Sequence, residues 1–438
     1  MKIDGATTDD AEPTRAAEPG IPTLLLLYSG HAVLAEPQRI VLRPGTTVIG
    51  RAAEEANGVC LDDKRASRVH AIIQHEARSG QLRVADAGSR NGTTVNGVRV
   101  NQAALHDGDL LRIGDSFLLM RNQPASPVDA PVGRLLGVSA VAAHLRSSLA
   151  RVAPTNASVL LLGETGTGKE IAARYLHDLS ARSGPFVAVN CSALPEALIE
   201  SQLFGHTRGA FTGATPHTGF FRAAQKGTLL LDEIGELALT TQPKLLRILE
   251  ERMVFPVGSV VGQPIDVRLI FATNRNLLTA VSTGKFRADL YSRIAEVVVE
   301  LPPLRQRKED IFLLLQNAAG VESLNIPPSL VETLLLHDWP FNVRELVKLA
   351  TEMSASGDLA AIEARLRRGS DSPMPQAGAV QGAEVPVDED APGREQFVEL
   401  LRTYHGNVAA IARTLKCPRK YIYRWIEQYS LDLNAYRE

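Results

Sequence analysis

The chain has 438 residues, of which 45% are hydrophobic and 22% are charged, and its formal net charge is −2. This length is too great for one compact core and predicts about three domains of roughly 150 residues each. The near-neutral charge excludes a chain-wide basic surface for nucleic acid, so any such contact must be local. The longest early apolar run is far shorter than the roughly 20 residues of a membrane span, and the first residues lack the apolar segment of a secretion signal. We therefore expect a soluble, cytoplasmic protein.

The cysteines are too few and too widely spaced for a metal site or a disulfide framework. They are Cys60, Cys191 and Cys417, and they form no C-x-x-C pair. An odd, sparse set of this kind is typical of reduced cytosolic thiols.

Residues 21–122 are predicted to form an all-β sandwich. Short runs such as TLLLLY, TTVIG and HAIIQHE alternate with turn clusters such as RPG, SRNG and VNG. The polar residues 1–20 are expected to be a disordered tail, and the Pro-rich residues 123–133 a linker.

Four short motifs of this block resemble the loops of the forkhead-associated (FHA) domain. In order they are Gly50-Arg51, Ser67-Arg68-Val69-His70, Gly88-Ser89-Arg90-Asn91-Gly92-Thr93 and Val95-Asn96-Gly97. The resemblance implies an eleven-stranded sandwich that binds phosphothreonine peptides, with Arg51, Ser67, Arg68 and Arg90 on the phosphate and Asn91 on the peptide backbone. Guanidinium groups and hydroxyls suit a dianionic phosphate. His70 is expected to brace the loops, and the alternative is an FHA fold that binds no phosphopeptide.

Residues 134–310 alternate apolar strands with helical patterns, which predicts a parallel α/β domain. The strand Val159 to Leu162 runs directly into a glycine-rich turn and a helix, the arrangement of a phosphate-binding P-loop. The candidate nucleotide-binding residues are Gly163, Glu164, Thr165, Gly166, Thr167, Gly168, Lys169 and Glu170. Glu170 stands where the usual pattern has a Ser or Thr that holds Mg²⁺. The alternative is a plain strand-to-helix turn.

An acidic pair follows a second apolar strand in GTLLLDEIGEL. Asp232 at the strand end can hold Mg²⁺ directly or through water, and Glu233 can orient and polarise the attacking water. With a P-loop upstream, this pair predicts ATP hydrolysis and not surface decoration.

Between these motifs lies FGHTRGAFTGA, and here the sequence resembles the bacterial enhancer-binding proteins, AAA+ activators of sigma-54 RNA polymerase. The matching string is Gly209, Ala210, Phe211, Thr212, Gly213 and Ala214. The resemblance implies a loop that presents Phe211 to sigma-54 and moves with nucleotide state. An aromatic tip between glycines suits such a movement.

The resemblance covers roughly residues 135–355 and assigns five further residues. They are Asn190, which couples Glu233 to the phosphate state, Asn274 as sensor I, Arg287 and Arg293 as arginine fingers, and Arg344 as sensor II. Fingers that act on a neighbouring subunit imply a closed ring, with a hexamer expected and a heptamer possible. The alternative for Arg287 and Arg293 is that they are two solvated arginines on a helix.

The sequence departs from the pattern of this family at two places, one residue and one segment. Phe341 replaces a glycine in the WPGNVREL string, and the lid, residues 311–369, is short between Asp310 and Pro327. Glu170, in contrast, fits the family, which commonly reads GKE at this point.

After a linker at residues 370–393, the segment 394–438 is predicted to be an all-α helix-turn-helix unit. It resembles the Fis-type domain that ends many of these activators. The candidate DNA contacts on its second helix are Arg419, Lys420, Tyr421, Tyr423 and Arg424. The alternative is a basic tail that binds protein.

Together these patterns predict a multidomain, sigma-54-dependent transcription activator. It would bind ATP, Mg²⁺, enhancer-like double-stranded DNA and sigma-54 RNA polymerase. A phosphothreonine protein, modified by a serine/threonine kinase, would regulate it through the FHA domain. The alternatives are an AAA+ remodeller of a non-transcription client and a non-catalytic phosphopeptide adaptor.

Overall fold

The computed structural model describes residues 20–30, 32–53, 58–123, 131–210, 217–371 and 394–404, with 408, 411, 414, 415, 422, 425, 426, 429 and 431. The chain forms two compact units, Met1–Ser372 and Pro373–Glu438. In the described part of the chain, no helix is long and apolar enough to cross a membrane.

The first part of the larger unit is a β-sandwich of two sheets. Its strands are β1 (Ile21–Ser29), β2 (Ala32–Val41), β3 (Gly45–Gly50), β4 (Val59–Cys60), β5 (Ala71–His75), β6 (Leu82–Asp86), β7 (Thr93–Val95), β8 (Val98–Val100), β9 (Gln102–Leu105), β10 (Leu110–Ile113) and β11 (Ser116–Gln123). One sheet has the order β2-β1-β11-β10-β7-β8, and the other has the order β4-β3-β5-β6-β9.

Strands β1 and β11 are buried on both faces, which is unusual for an antiparallel sheet. Side chains alternate between the two faces of a strand. Leu24 and Leu26 accordingly lie in the core of the sandwich, whereas Leu25 and Leu27 lie in a second core that contains the helices after residue 310. The sandwich is therefore covered on one outer face by the rest of its own unit.

The central part is a five-stranded parallel sheet with flanking helices. Its elements are α1 (Ala140–Val152), β12 (Val159–Leu162), α2 (Lys169–Leu179), β13 (Phe186–Asn190), α3 (Glu196–Phe204), α4 (Phe220–Ala223), β14 (Thr228–Asp232), α5 (Gln242–Glu251), β15 (Met253–Val254), β16 (Gln263–Pro264), β17 (Arg268–Thr273), α6 (Leu277–Ser282), α7 (Ala288–Ile294) and β18 (Val297–Glu300). The sheet order is β13-β14-β17-β12-β18, and β15 pairs with β16 separately. Because all five strands are parallel, their carboxyl ends meet at one edge.

Four helices then form a lid: α8 (Ile311–Ala319), α9 (Pro328–Leu336), α10 (Asn342–Ser356) and α11 (Leu359–Asp371). Trp339 is fully buried in their core, and its indole N–H donates to the carbonyl of Leu334 at 3.0 Å. The smaller unit contains α12 (Arg394–Thr403), whose Phe397 and Leu401 pack with Ile411, Ile422 and Trp425. The predicted fold class is confirmed: a β-sandwich, an α/β ATPase-like core with a helical lid, and a helical C-terminal unit.

Candidate functional site

The glycine-rich turn connects β12 to α2 and encloses the ammonium group of Lys169. Lys169 is 7% exposed, and its Nζ donates to the carbonyl oxygens of Gly163 at 2.9 Å and Glu164 at 3.3 Å. Burial lowers the pKa of Lys169, although the charge of Glu233 opposes the shift. Gly168 precedes the helix with φ 104°, a left-handed conformation that favours glycine. The loop thus holds a cation at a helix N-terminus, which suits an anionic ligand.

The acidic pair lies beside this loop, at the carboxyl end of β14. The carboxylate of Glu233 is 4.0 Å from Lys169 Nζ and accepts from the backbone N–H of Asn274 at 3.3 Å. Asn274 Nδ2 in turn donates to Thr165 Oγ1 at 2.9 Å. Glu233 has φ 53°, a left-handed backbone conformation that costs about 1–3 kcal/mol and is typical of functional sites. Residues from three segments that lie far apart in sequence therefore share one cluster.

Asn190 lies next to Asp232, because the two residues are register partners in neighbouring strands. Its side-chain oxygen accepts from the backbone N–H of Ser192 at 2.9 Å and from the Ser192 hydroxyl at 2.7 Å. Asn190 thus caps the turn after β13 in this structure, and its coupling to Glu233 stays a prediction.

The start of α10 packs directly on the phosphate loop. A Cβ at Gly166 would collide with the carbonyl of Phe341 and lie 3.0 Å from the Cβ of Arg344, so only glycine fits there. Arg344 also lowers the pKa of Lys169 through its charge, although burial is the larger cause. The structure therefore brings the predicted sensor II residue to the loop.

The departure at Phe341 leaves the backbone unstrained. Phe341 has φ −108° and ψ 17°, which any residue can adopt, and its side chain is exposed. The left-handed residues of this turn are Trp339, with φ 50°, and Asn342, with φ 51°. A glycine is therefore not required at position 341.

Three residues of the site were not singled out from the sequence. Arg305 forms an ion pair with Glu164, with one N–O distance of 2.8 Å, and buried Arg307 donates to the carbonyl of Thr167 at 2.9 Å. Asn342 Nδ2 donates to Glu164 and to the carbonyl of Thr165, both at 3.1 Å. The local signals were the arginine spacing in LPPLRQRKED and, for Asn342, its place in the WPFNVREL string.

The two candidate arginine fingers lie on the surface and pair with nearby acids. Arg287 precedes α7 and pairs with Asp289 at 2.7 Å, and Arg293 is 3.9 Å from Glu250. Both side chains are about half exposed, at 46% and 55%. Neither therefore joins the cluster around Lys169 through any contact recorded for the described residues.

The acids of the cluster fit a magnesium ion, which binds proteins through one or two carboxylates together with substrate phosphates. Asp232 and Glu233 offer hard oxygen ligands at the strand end, and Asp232 Oδ1 accepts only from the backbone N–H of Glu233 among the bonds of the described residues. Glu170 points elsewhere, because its carboxylate accepts from Arg174 at 2.8 Å on the surface of α2. No group of three His, Cys, Asp or Glu side chains with metal-site geometry occurs among the described residues.

A backbone bridge lies just outside the two ends of the GAFTGA motif. The backbones of His206 and His217 exchange two hydrogen bonds of 3.0 and 3.1 Å. Gly209 has φ 81°, and a Cβ added at Gly258 would lie 3.1 Å from the Cβ of Ala210, so the described start of the motif lies close to Gly258. Phe211, Thr212, Gly213 and Ala214 lie outside the described residues, as do the candidate DNA contacts Arg419, Lys420, Tyr421, Tyr423 and Arg424.

The predicted phosphopeptide residues meet at one end of the sandwich. Arg51 donates its backbone N–H to the carbonyl of Ser67 at 2.9 Å, and Arg90 donates its own to the Ser67 hydroxyl at 3.1 Å. Arg51, Arg68, Arg90 and Asn91 are exposed. The loops that carry Arg51 and Arg90 thus both bond the loop of Ser67 and Arg68.

His70 braces these loops from below. It is fully buried, its Nδ1 accepts from the backbone N–H of Ser67 at 3.0 Å, and its Nε2 lies 3.1 Å from the carbonyl of Gly92. Since Nδ1 accepts, Nε2 carries the proton and donates. The imidazole is therefore shielded from any ligand, as predicted.

A cavity of about 240 Å³ opens beside Asn91. It is lined by Arg65, Asn91, Gly92, Thr94, Arg112, Gly114 and Asp115. Arg112 also donates to Glu332 of α9 at 2.7 Å, so one wall of the cavity contacts the lid.

Comparison with known proteins agrees with this architecture. Residues 135–300 match the family model of the sigma-54 interaction domain, and residues 47–114 match that of the FHA domain. The chain is 38% identical over 405 residues to the anaerobic nitric oxide reductase transcription regulator NorR of Aeromonas salmonicida, which covers 81% of this chain and 77% of NorR. It is 41% identical over 317 residues to the regulatory protein AtoC of Escherichia coli, which covers 68% of each chain.

Some relatives are considerably longer. UacR of Escherichia coli is 38% identical over 328 residues, and the chain spans 55% of its length. The match to NorR, in contrast, covers 77% of that relative at 38% identity, so the similarity extends over most of its length. With its AAA+ core, lid and FHA sandwich, the chain belongs to the family of sigma-54-dependent transcriptional regulators.

Proposed function

We propose that the chain is an ATP-hydrolysing activator of sigma-54 RNA polymerase, controlled by phosphothreonine binding to its FHA domain. The cluster of Lys169, Asp232, Glu233 and Asn274 at the sheet edge carries this proposal. It combines a buried cation, two carboxylates and an amide beside a glycine-rich loop, which are the groups that phosphoryl transfer requires.

Each residue has a distinct task in this proposal. Lys169 neutralises phosphate charge in place of its present bonds to two loop carbonyls. Glu233 orients and deprotonates the attacking water, and Asn274 links that carboxylate to the loop through Thr165. Asp232 would hold Mg²⁺, which supplies positive charge to the phosphates when bound. Glu164, engaged by Arg305 and Asn342, fixes the loop against the lid.

The remaining tasks fall to surfaces away from this cluster. Exposed Arg287 and Arg293 would act on the nucleotide site of the next subunit in a ring. Phe211 and Thr212 would engage sigma-54 in the GAFTGA loop. Arg419, Lys420 and Arg424 would hold the protein on enhancer-like DNA in the cytoplasm.

Two substitutions separate nucleotide binding from hydrolysis. Lys169→Ala should abolish ATP binding, because it removes the loop cation. Glu233→Ala should bind ATP and lose at least about 100-fold in turnover, the usual contribution of a positioned base. Equilibrium binding and phosphate release measure the two effects, and normal turnover by either variant would refute the assignment.

A third substitution tests the link to transcription. Thr212→Ala should retain most of the ATPase activity and lose promoter opening by sigma-54 polymerase in a reconstituted reaction. Retained opening would exclude the GAFTGA loop from the mechanism and favour an AAA+ remodeller with another client.

A further inference from the structure

The FHA sandwich is joined to the lid by a shared apolar core. Leu25, Leu27 and Tyr28 of β1, together with Phe117 and Leu119 of β11, belong to the same buried cluster as the lid helices. The Tyr28 hydroxyl donates to the carbonyl of Ile326 at 3.1 Å. This sheet face therefore has a fixed partner within the same chain.

A buried ion pair lies at one end of this interface. Arg121 of β11 donates through Nε at 3.2 Å and Nη2 at 2.7 Å to Glu309 Oε2, and Nη2 also donates to the carbonyl of Gln306 at 2.9 Å. Arg121 is 9% exposed and Glu309 is 4% exposed. A buried carboxylate that loses its cation is left uncompensated, so removal of Arg121 should displace Glu309 or favour its protonated form, and either change alters the bonds of this segment.

The segment held by Arg121 is the one that holds the phosphate loop. Residues 304–310 form two 3-10 turns between the α/β core and the lid. Arg305 pairs with Glu164, and Arg307 donates to the carbonyl of Thr167. Only one residue separates Arg307 from Glu309. The hydrogen bonds of Arg121 in β11 therefore end on the same short segment whose Arg305 and Arg307 bond the P-loop.

We propose that Arg121 is a positioning residue for the nucleotide site, acting through Glu309 and Gln306 on the segment 304–310. The FHA domain is then a structural component of the ATPase, and its docking and nucleotide affinity are linked in both directions. This inference rests on nucleotide binding at Lys169, as proposed above.

The first test measures the affinity of the full chain for the fluorescent nucleotide mant-ADP with Mg²⁺. Arg121→Met should weaken binding by roughly tenfold, within the usual range of coupling between linked sites. The matched control is Arg83→Met, which changes an exposed arginine on the remote sheet and should stay within about twofold.

A double-mutant cycle distinguishes positioning from a general loss of stability. If Arg121 acts through Glu309, then Arg121→Met should have less than about a twofold effect in a Glu309→Leu background. Independent, multiplying effects of the two changes would overturn the proposal. So would wild-type affinity in Arg121→Met accompanied only by a lower melting temperature, because that result indicates a purely structural role.

The wild-type chain provides a test that does not depend on folding of a variant. Saturating ADP should slow amide hydrogen exchange in β11 and in residues 304–310, and leave β6 unchanged, because linkage acts in both directions. Protection confined to the ATPase core would overturn the inference alone. A wild-type chain that binds no mant-ADP would refute the proposed function and this inference together.

Discussion

At the scale of single residues, the proposed phosphopeptide site contains exposed groups that could contact a ligand and a buried group that supports the loops. Arg51 is exposed, whereas His70 is buried and bonded to two backbone groups. Arg51→Ala should therefore abolish binding of a phosphothreonine peptide and change the free energy of unfolding by less than about 0.5 kcal/mol. Isothermal titration with the peptide and its unphosphorylated form measures the first effect, and unchanged affinity would refute the role.

His70→Ala should mainly lower the stability of the sandwich and affect peptide binding less directly. It leaves the Ser67 N–H and the Gly92 carbonyl without partners, and an unsatisfied buried group costs about 1–3 kcal/mol. Amide exchange in β5 should accelerate accordingly, and peptide affinity should fall as a secondary effect. An exchange rate equal to that of Arg51→Ala would contradict this division of roles.

The two described cysteines should differ sharply in reactivity. Burial, together with the charges of Asp232 and Glu233, raises the pKa of the Cys191 thiol to about 12. At pH 8 only about one Cys191 in ten thousand is then a thiolate, the reactive form. Cys60 is exposed. Brief alkylation followed by peptide mapping should label Cys60 and spare Cys191, and equal labelling would show that the site opens.

At the scale of elements, the first residue of α10 makes several of the hydrogen bonds that join the lid to the P-loop. Asn342 is fully buried, bonds Glu164 and Thr165, and accepts from the backbone N–H of Leu304 at 2.7 Å. Asn342→Gly keeps the left-handed backbone accessible and removes all of these bonds, so it should weaken mant-ADP binding several-fold.

Phe341→Gly is the matched control in the same turn. It restores the residue usual in this family at a position whose backbone needs no glycine. Affinity should be unchanged, and stability should fall only by about 0.4–1 kcal/mol, because the unfolded chain gains freedom. Equal loss of affinity in both variants would mean that flexibility of the turn, and not the Asn342 side chain, controls the site.

Sequence patterns predicted those site residues that belong to a short local motif. Lys169 and Glu233 belong to short strings that begin or end at a strand, and parallel strands bring their carboxyl ends together. The partners of Arg305 and Arg307 lie about 140 residues away, and no local pattern specifies such a pairing. Their roles required the structure.

The sequence of β1 contains a signal for the interface between the sandwich and the lid. An antiparallel sandwich strand with one solvent face alternates apolar and polar residues, but β1 contains four consecutive leucines, Leu24 to Leu27. Such a run indicates cover on both faces. It does not identify the cover, because many apolar surfaces of similar size would serve.

At the scale of the whole molecule, the proposed role of exposed Arg287 as an arginine finger predicts that each site needs a neighbouring subunit. Lys169→Ala and Arg287→Ala should both be inactive alone. In a mixed ring, the intact P-loop of one variant can lie beside the intact arginine of the other, so an equal mixture should regain up to about a quarter of wild-type turnover. Turnover per subunit should also rise with protein concentration, and no recovery on mixing would contradict fingers supplied by a neighbour.

The double burial of β1 has a consequence for how such proteins can be recombined. Alternate side chains of β1 belong to two different cores. The sandwich therefore cannot be transferred to another protein as an independent domain, because its apolar outer face would be exposed without the lid. Residues 20–123 alone should self-associate through that face, and Leu25→Lys with Leu27→Lys should make the fragment monomeric. A gene fusion that replaces this sandwich would also have to replace the lid surface that covers it. We therefore expect the sandwich and the ATPase domain to be inherited as a pair.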